Sequence, residues 1–292
     1  MAKIRPWNKN GNAIVEATFG IGFSSAPPSH TVREILALHS KLSEKFPRKR
    51  ETQGRLVGIV AGSDGGGAIV QAPQDMGLLG FTFDSLRSDG AVERSISLED
   101  RKLSIVRADY EGWDKTWGEA REIFKLMLPI IMERSDVASL DLEFKDRFVF
   151  DGGRGEFKAE MVLRSENKFL VPNVFDVQDL WHSYHGFFDY KDQPHPHQLL
   201  NVIEVQLLPA DTVGSADQPG LHLDLRLSHR CVPGVDKPAA SGVVLSQLIE
   251  LLGDGGAAAQ LNAYMSEMHD ANKALLKGLI NDDMCARIGL KG

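Results

Sequence analysis

A series of short strand-forming segments between residues 55 and 107 constrains the fold of this chain more than any other feature. The segments are rich in β-branched and other apolar residues, and turns that carry glycine or aspartate separate them. Segments divided in this way are typical of strands joined as antiparallel hairpins. We therefore predict an antiparallel meander with strands at residues 55–61, 68–72, 79–87, 92–98 and 102–107.

Helices are predicted on either side of this meander and at the end of the chain. Apolar residues recur at helical spacing, as Trp117, Phe124 and Ile131 do in the central helix, so each helix has one face to bury. Further strands alternate polar with apolar residues. The predicted helices span residues 31–46, 114–133, 243–252 and 257–280, and the further strands span residues 13–23, 139–150, 158–163, 201–208 and 221–230.

The order of these elements indicates an α+β fold in which long helices cover antiparallel sheets. Each half of the chain runs from strands towards a long helix, which suggests two related halves, although no repeat is evident at the level of residues. We assign residues 1–150 to an N-terminal α+β half and residues 151–292 to a C-terminal α+β half, packed as one unit. A chain of 292 residues is long enough to bury an extensive core.

Charge, hydropathy and cysteine content narrow the classes of function. A formal charge of -7 gives little general attraction to nucleic acid, which argues against a nucleic-acid partner. No segment has the features of a secretory signal or the length of a transmembrane span. The two cysteines, Cys231 and Cys285, are far apart in the sequence, which argues against a disulfide framework or a zinc site built on thiolates. We predict a protein of the reducing cytoplasm.

The stretch WHSYHGFFDYKDQPHPH, residues 181–197, combines four histidines with five large aromatic residues. Neutral imidazoles bind transition metals, and His182 with His185 would share a face in a helix, as His195 with His197 would in a strand. Two prolines interrupt the second pair, however, and no H-E-x-x-H order supplies a general base. We therefore predict no metal and an irregular aromatic loop that binds a partner through Trp181, His182, Tyr184, His185, Phe187, Phe188 and Tyr190.

Three other motifs have a structural and a functional interpretation. His222, Asp224 and Arg226 should share one strand face, where an aspartate can orient an imidazole, but a solvated sheet face gives the same pattern. The basic residues Arg48, Lys49 and Arg50 are a weak candidate for anion contact, since positive charge after a predicted helix also offsets its dipole. The glycine-rich residues 62–67 lack G-K-[ST], so a hairpin turn is favoured over a phosphate loop.

Three short segments carry a resemblance to a known family. They are residues 12–19 (NAIVEATF), residues 110–117 (YEGWDKTW), and the C-terminal part from Met268 to Gly289. The chain resembles a TIGR-series family of proteins with a sporadic distribution among prokaryotes. This resemblance extends over nearly the whole chain and implies a shared architecture, but the family has no established active site, so no catalytic residue follows from it. A patchy distribution resembles that of phage-defence genes.

These observations favour a non-catalytic cytoplasmic binding protein, a sensor or adaptor in prokaryotic antiviral defence. Its expected partner is a protein, either an effector or a phage component, and no cofactor is expected. The alternative is a metal-dependent hydrolase that uses the histidine-rich stretch. Convergence of the histidines in the folded chain would distinguish the two hypotheses.

Overall fold

One large antiparallel sheet forms the centre of the fold. The computed structural model describes residues 4–8, 11–56, 59–60, 69–70, 74–177, 179–191, 197–209, 220–233 and 257–290. Twelve strands occur in these ranges, and ten of them belong to this sheet. They are β1 Ile4–Pro6, β2 Ile14–Phe23, β3 Arg48–Leu56, β4 Ile59–Val60, β5 Ile69–Val70, β6 Gln74–Leu86, β7 Val92–Glu99, β8 Lys102–Arg107, β9 Val137–Phe150, β10 Trp181–Lys191, β11 His197–Pro209 and β12 Leu221–Pro233.

Neighbouring strands of the sheet follow the order β10-β11-β12-β9-β2-β8-β7-β6-β3. The short β1 adds to β9, while β4 and β5 pair only with each other. The predicted meander is confirmed in the antiparallel pairs β6-β7 and β7-β8. The strands β10 and β3 lie at the two edges of the sheet.

Five helices lie in the described parts of the chain. They are α1 Ser29–Ala37, α2 His39–Leu42, α3 Trp113–Met132, α4 Ala257–Leu279 and α5 Asp282–Arg287, with short 3-10 turns at Arg154–Glu156, Ala159–Met161 and Pro172–Phe175. Apolar residues of α1, α3 and α4 pack with inward residues of the strands in two buried clusters. No helix among the described residues combines the length and the apolar character needed to cross a membrane.

The leucines of β12 show how the sequence pattern places the core. Leu221, Leu223, Leu225 and Leu227 are all buried, and all belong to the second apolar cluster. Because successive side chains of a strand point to opposite faces, the residues between them face away from this cluster. We call that opposite surface the polar face; on β12 it consists of His222, Asp224, Arg226, Ser228 and Arg230.

The same order of elements is followed twice along the chain. A strand in the middle of the sheet, β2 or β9, is followed by helical turns, then by antiparallel strands, and then by a long helix, α3 or α4. The strands β2 and β9 pair with each other and so join the two sets into one sheet. By this connectivity β9 begins the second set of elements. The predicted boundary at 150/151 instead assigns β9 to the N-terminal half, and that boundary stays a prediction.

Several local predictions are wrong. The predicted helix 31–46 is two shorter helices, and α1 begins at Ser29 after Pro28, with no side-chain cap. The strand predicted at residues 158–163 is replaced by a 3-10 turn at Ala159–Met161 and an isolated bridge from Leu163 to Ile280. Residues 62–67 and the helix predicted at 243–252 lie outside the described residues.

Candidate functional site: an aromatic edge strand and the polar face

The stretch predicted as an irregular loop is an edge strand of the sheet. β10 pairs with β11 without interruption from Trp181 opposite Leu207 to Lys191 opposite His197. Its even-numbered residues face solvent, and Tyr184, Phe188 and Tyr190 are 69%, 57% and 68% exposed. Exposed aromatic residues in such number are a feature of binding surfaces. The loop prediction is corrected, and its aromatic residues lie on a regular, extended segment.

The seven residues predicted to bind a partner are divided between the two faces of β10. His182, Tyr184, Phe188 and Tyr190 lie on the polar face, and Gly186 lies between them. The others lie on the side of the apolar core, where Trp181 and Phe187 pack against the second cluster. Phe187 also stacks on Phe169 with ring centroids 5.8 Å apart. Three of the seven residues therefore do not belong to the same surface as the other four.

The same alternation separates the histidines. His182 and His185 are three positions apart in a strand, so they lie on opposite faces and cannot bind one ion together. His197 is buried, and its Nε2 lies 3.1 Å from a carboxylate oxygen of Glu267. His195 lies outside the described residues. Among the residues that the structure describes, no group of three histidine, cysteine, aspartate or glutamate residues can hold a metal ion. The hydrolase hypothesis stays an untested prediction.

His222, Asp224 and Arg226 share the polar face, and the shortest contacts of Asp224 are with two basic residues of β9. Arg147 donates two hydrogen bonds to its carboxylate, of 2.7 and 2.9 Å, and Lys145 Nζ lies 3.0 Å away. The Nε2 of His222 is farther, at 3.8 Å. Burial alone raises the pKa of Asp224, yet the bonds from Arg147 and Lys145 outweigh burial and lower that pKa. Asp224 therefore fixes β12 to β9.

Further ion pairs cross the polar face between neighbouring strands. Arg226 lies 3.3 Å from Glu143 on β9 and 3.3 Å from Glu204 on β11. Arg230 donates a 2.6 Å hydrogen bond to Asp141. These pairs line a cleft of about 360 Å³ that also includes the aromatic ring of Tyr184 and the apolar side chains of Leu200 and Val202. The charges are largely compensated, so this groove has mixed apolar and polar walls beside the aromatic edge.

The basic cluster lies on the opposite edge of the sheet. Arg48, Lys49 and Arg50 are the first residues of β3 and do not belong to a helix. Arg48 and Arg50 lie 3.2 and 2.7 Å from the buried carboxylate of Asp84, and Lys49 lies 3.2 Å from Glu51. Both arginines are thus engaged with an aspartate of the protein itself.

A buried polar chain on the core side was missed at the sequence level. Asn201 donates to Asp189 on β10 at 3.1 Å. The ring nitrogens of His229 lie 2.7 Å from Asn201 and 3.2 Å from Asn272 of α4. Burial lowers the pKa of His229 to about 4, so the imidazole is neutral at physiological pH. The only signal in the sequence was the position of His229, two residues after Leu227 and therefore on the same face of the strand as the four leucines.

Replacement of Asn272 by leucine is expected to lower the free energy of unfolding by about 1–3 kcal/mol, because it leaves a buried ring nitrogen of His229 without its partner. Urea denaturation of the single variants Asn272→Leu and His229→Leu, and of the double variant, measures the coupling. The double variant should lose less than the sum of the single variants. Strict additivity would contradict a functional bond between the two side chains.

Comparison with known proteins adds no further information about this site. No family model, curated protein or solved structure matches the chain. The resemblance to the prokaryotic family therefore stays a prediction, and the functional argument rests on the geometry of the strand and its surroundings.

Proposed function

We propose that this protein is a non-catalytic binding protein that recognises a protein partner through β10 and the adjoining polar face. The observation that carries the proposal is the row of Tyr184, Phe188 and Tyr190, each more than half exposed on one face of an edge strand. Burial of aromatic side chains often supplies much of the energy of a protein interface. A row of three on a regular strand presents them in a fixed arrangement.

The surroundings of this row support the same proposal. We propose that the long helices cover one face of the sheet and leave the polar face free for the partner. The cleft beside Tyr184 has apolar walls and paired charges, which suits the polar rim of an interface. Because Arg226 and Glu204 already neutralise each other, a partner would gain specificity from matching this pattern more than from net charge.

We further propose that the partner is an effector or a phage component, and that the protein acts in the cytoplasm as a sensor or adaptor in antiviral defence. The support for this role is the family resemblance and the patchy distribution of that family. The efficiency of phage plating on hosts with and without the gene tests it. Equal plating across a panel of phages would contradict the role in defence without affecting the binding site.

Removal of the three exposed rings by Tyr184→Ala, Phe188→Ala and Tyr190→Ala is expected to weaken partner binding by about 100-fold or more, since each ring is a candidate anchor. Partners are first identified by affinity capture from the native host, and their affinity is then measured with purified proteins. Melting curves of the variant should stay close to those of the unmodified protein, because the removed side chains face solvent.

The matched control removes three exposed apolar side chains from β6 and β7, by Leu79→Ala, Leu86→Ala and Val92→Ala. This control should bind as the unmodified protein does. Equal affinity of the aromatic variant and the control would refute the proposed surface. A large fall in the melting temperature of the aromatic variant would assign these rings to the fold instead.

A further inference from the structure

The two edges of the sheet differ in chemistry. The edge strand β3 begins with the charged residues Arg48, Lys49, Arg50 and Glu51, and charges of this kind protect an edge from pairing with other chains. The edge strand β10 is eleven residues long, and among the described residues β11 is its only neighbour in the sheet. Its far side therefore presents a row of backbone N–H and C=O groups, the usual template for adding a strand.

Gly186, at the middle of β10, gives a second and independent observation. Glycine weakens a strand, and within strands it often marks a place where another backbone approaches closely. Within this chain a β-carbon at position 186 would lie 3.6 Å from the carbonyl oxygen of Asn201 and 3.8 Å from Val202, which are ordinary contacts. Internal packing of the described residues thus gives no reason for glycine here, whereas the approach of a strand from another chain would give one.

We propose that the free edge of β10 pairs with β10 of a second copy of this chain, antiparallel and about a two-fold axis that passes beside Gly186. This register is the one that pairs all eleven residues, from Trp181 of one copy opposite Lys191 of the other. Two-fold dimers use the same surface of both copies, so a self-complementary strand is required.

The side chains of β10 are complementary to themselves in this register. On the polar face, Tyr184 lies opposite Phe188 of the second copy, and His182 lies opposite Tyr190. Aromatic pairs across antiparallel strands stabilise a sheet. On the other face, Trp181 meets Lys191, and a lysine over an indole ring is favourable. No residue of β10 is placed opposite a residue of like charge.

In this dimer Gly186 lies at the two-fold axis. Gly186 of each copy faces Gly186 of the other, which leaves a gap on the polar face that Tyr184 and Phe188 of both copies flank. Aromatic rings that fold over a glycine on the neighbouring strand compensate for its missing side chain. Four rings around this gap would replace the solvent that now surrounds Tyr184 and Phe188.

The dimer joins the polar faces of both copies into one continuous surface. This inference rests on the proposed function. A second copy of the chain occupies the edge of β10, and the joined polar face is left for the proposed protein partner. Two linked copies of a binding surface raise the apparent affinity for a multivalent partner without any new contact. A sensor that recognises a component with repeated units would bind that component with higher apparent affinity as a dimer.

Two variants that replace the same two residues, Tyr184 and Phe188, test the register. In Tyr184→Lys/Phe188→Glu, each introduced lysine faces the introduced glutamate of the other copy, whereas in Tyr184→Lys/Phe188→Lys it faces another lysine. We expect the unmodified protein and the first variant to dimerise. The second variant should be monomeric, with a dissociation constant at least about 100-fold higher than the first, because like charges are opposed twice. Sedimentation equilibrium measures each constant.

Each other outcome of this dimerisation test overturns the proposal. An unmodified protein that is monomeric excludes the dimer, and equal dimerisation of all three proteins places the interface elsewhere. A lysine-glutamate variant that dimerises no more tightly than the lysine-lysine variant excludes the register about Gly186. Failure of the dimer is distinguishable from failure of the proposed function: a monomer whose partner binding still depends on the aromatic residues refutes only this inference, whereas a dimer with no partner at that surface refutes only the proposed function.

Discussion

Replacement of Asp146 by asparagine is expected to raise the free energy of unfolding above pH 7 and to bring the variant close to the unmodified protein near pH 4. Asp146 is 1% exposed, and it alternates along β9 with Phe144 and Phe148, which belong to the two apolar clusters. Neither of its carboxylate oxygens has a hydrogen-bond partner among the described residues. Burial raises the pKa of this carboxyl to about 7. The folded protein thus holds a costly charge at alkaline pH.

The pH dependence has a defined sign and slope. The folded pKa of Asp146 lies above its unfolded value, so this residue's contribution to stability is fully present below about pH 4 and is lost as pH rises to about 7. The slope is about 1.4 kcal/mol per pH unit, or about 4 kcal/mol over the whole window. His229 and His269, whose pKa values burial lowers to about 4, act in the opposite direction. Their contributions cancel when the variant is compared with the unmodified protein.

Urea denaturation of both proteins between pH 4 and pH 8 gives this difference directly. Asp224→Asn is the matched control with the opposite sign, because ion pairs with Arg147 and Lys145 lower the pKa of Asp224. It should destabilise the protein at neutral pH and lose this effect in acid. A constant difference between Asp146→Asn and the unmodified protein would show that Asp146 has a polar partner in solution.

The parts of the fold that sequence predicts are those in which one face of an element is uniformly apolar. The leucines at 221–227 predict β12, and the helical spacing from Leu261 to Leu279 predicts most of α4, because burial of a continuous apolar row dominates the local preferences. Antiparallel sheets follow from many such rows separated by turns, but the union of the strands into one ten-stranded sheet does not. The N-terminus of α3 was less predictable: it lies at Gly112, with φ 106°, and not at Asp114.

The edge strand β10 shows where this reasoning fails. Its two faces both carry aromatic and histidine side chains, so alternation in hydrophobicity is absent, although exposure alternates along the strand except at His185. Gly186 and the prolines beyond Lys191 are also typical of loops. Pairing with β11, a tertiary interaction, decides the conformation, and it also decides that His182 and His185 face apart.

The partners of the polar residues were beyond prediction for a related reason. That His222, Asp224 and Arg226 share a face follows from their spacing alone. That Asp224 binds Arg147, which is 77 residues away in sequence, depends on the register between β9 and β12. A single sequence shows which residues of a strand share a face, but it does not show which residues of another strand lie opposite them. The charged residues could therefore be identified, but their ion-pair partners could not.

Replacement of Arg107 by methionine is expected to be among the most destabilising changes in the protein, with a loss of about 3–5 kcal/mol in the free energy of unfolding. The side chain is 1% exposed on β8. It donates hydrogen bonds of 2.8 and 3.2 Å to Asp109 and one of 2.6 Å to Glu119 of α3. Burial lowers the pKa of its guanidinium, but these two carboxylates outweigh burial and raise it.

The loss is large because the variant leaves two carboxylates without the cation between them. Both have lowered pKa values: burial raises each, and the contacts with Arg107 and Arg94 more than offset it. The change Arg94→Met is the matched control, since this more exposed arginine contacts the same Asp109 and should cost roughly 1 kcal/mol. The triple variant Arg107→Met/Asp109→Asn/Glu119→Gln removes the two carboxylates that lose Arg107 and should recover part of the loss. If Arg107→Met costs no more than Arg94→Met in urea denaturation, the network does not hold α3 on the sheet and the apolar contacts of Trp117 and Phe124 suffice.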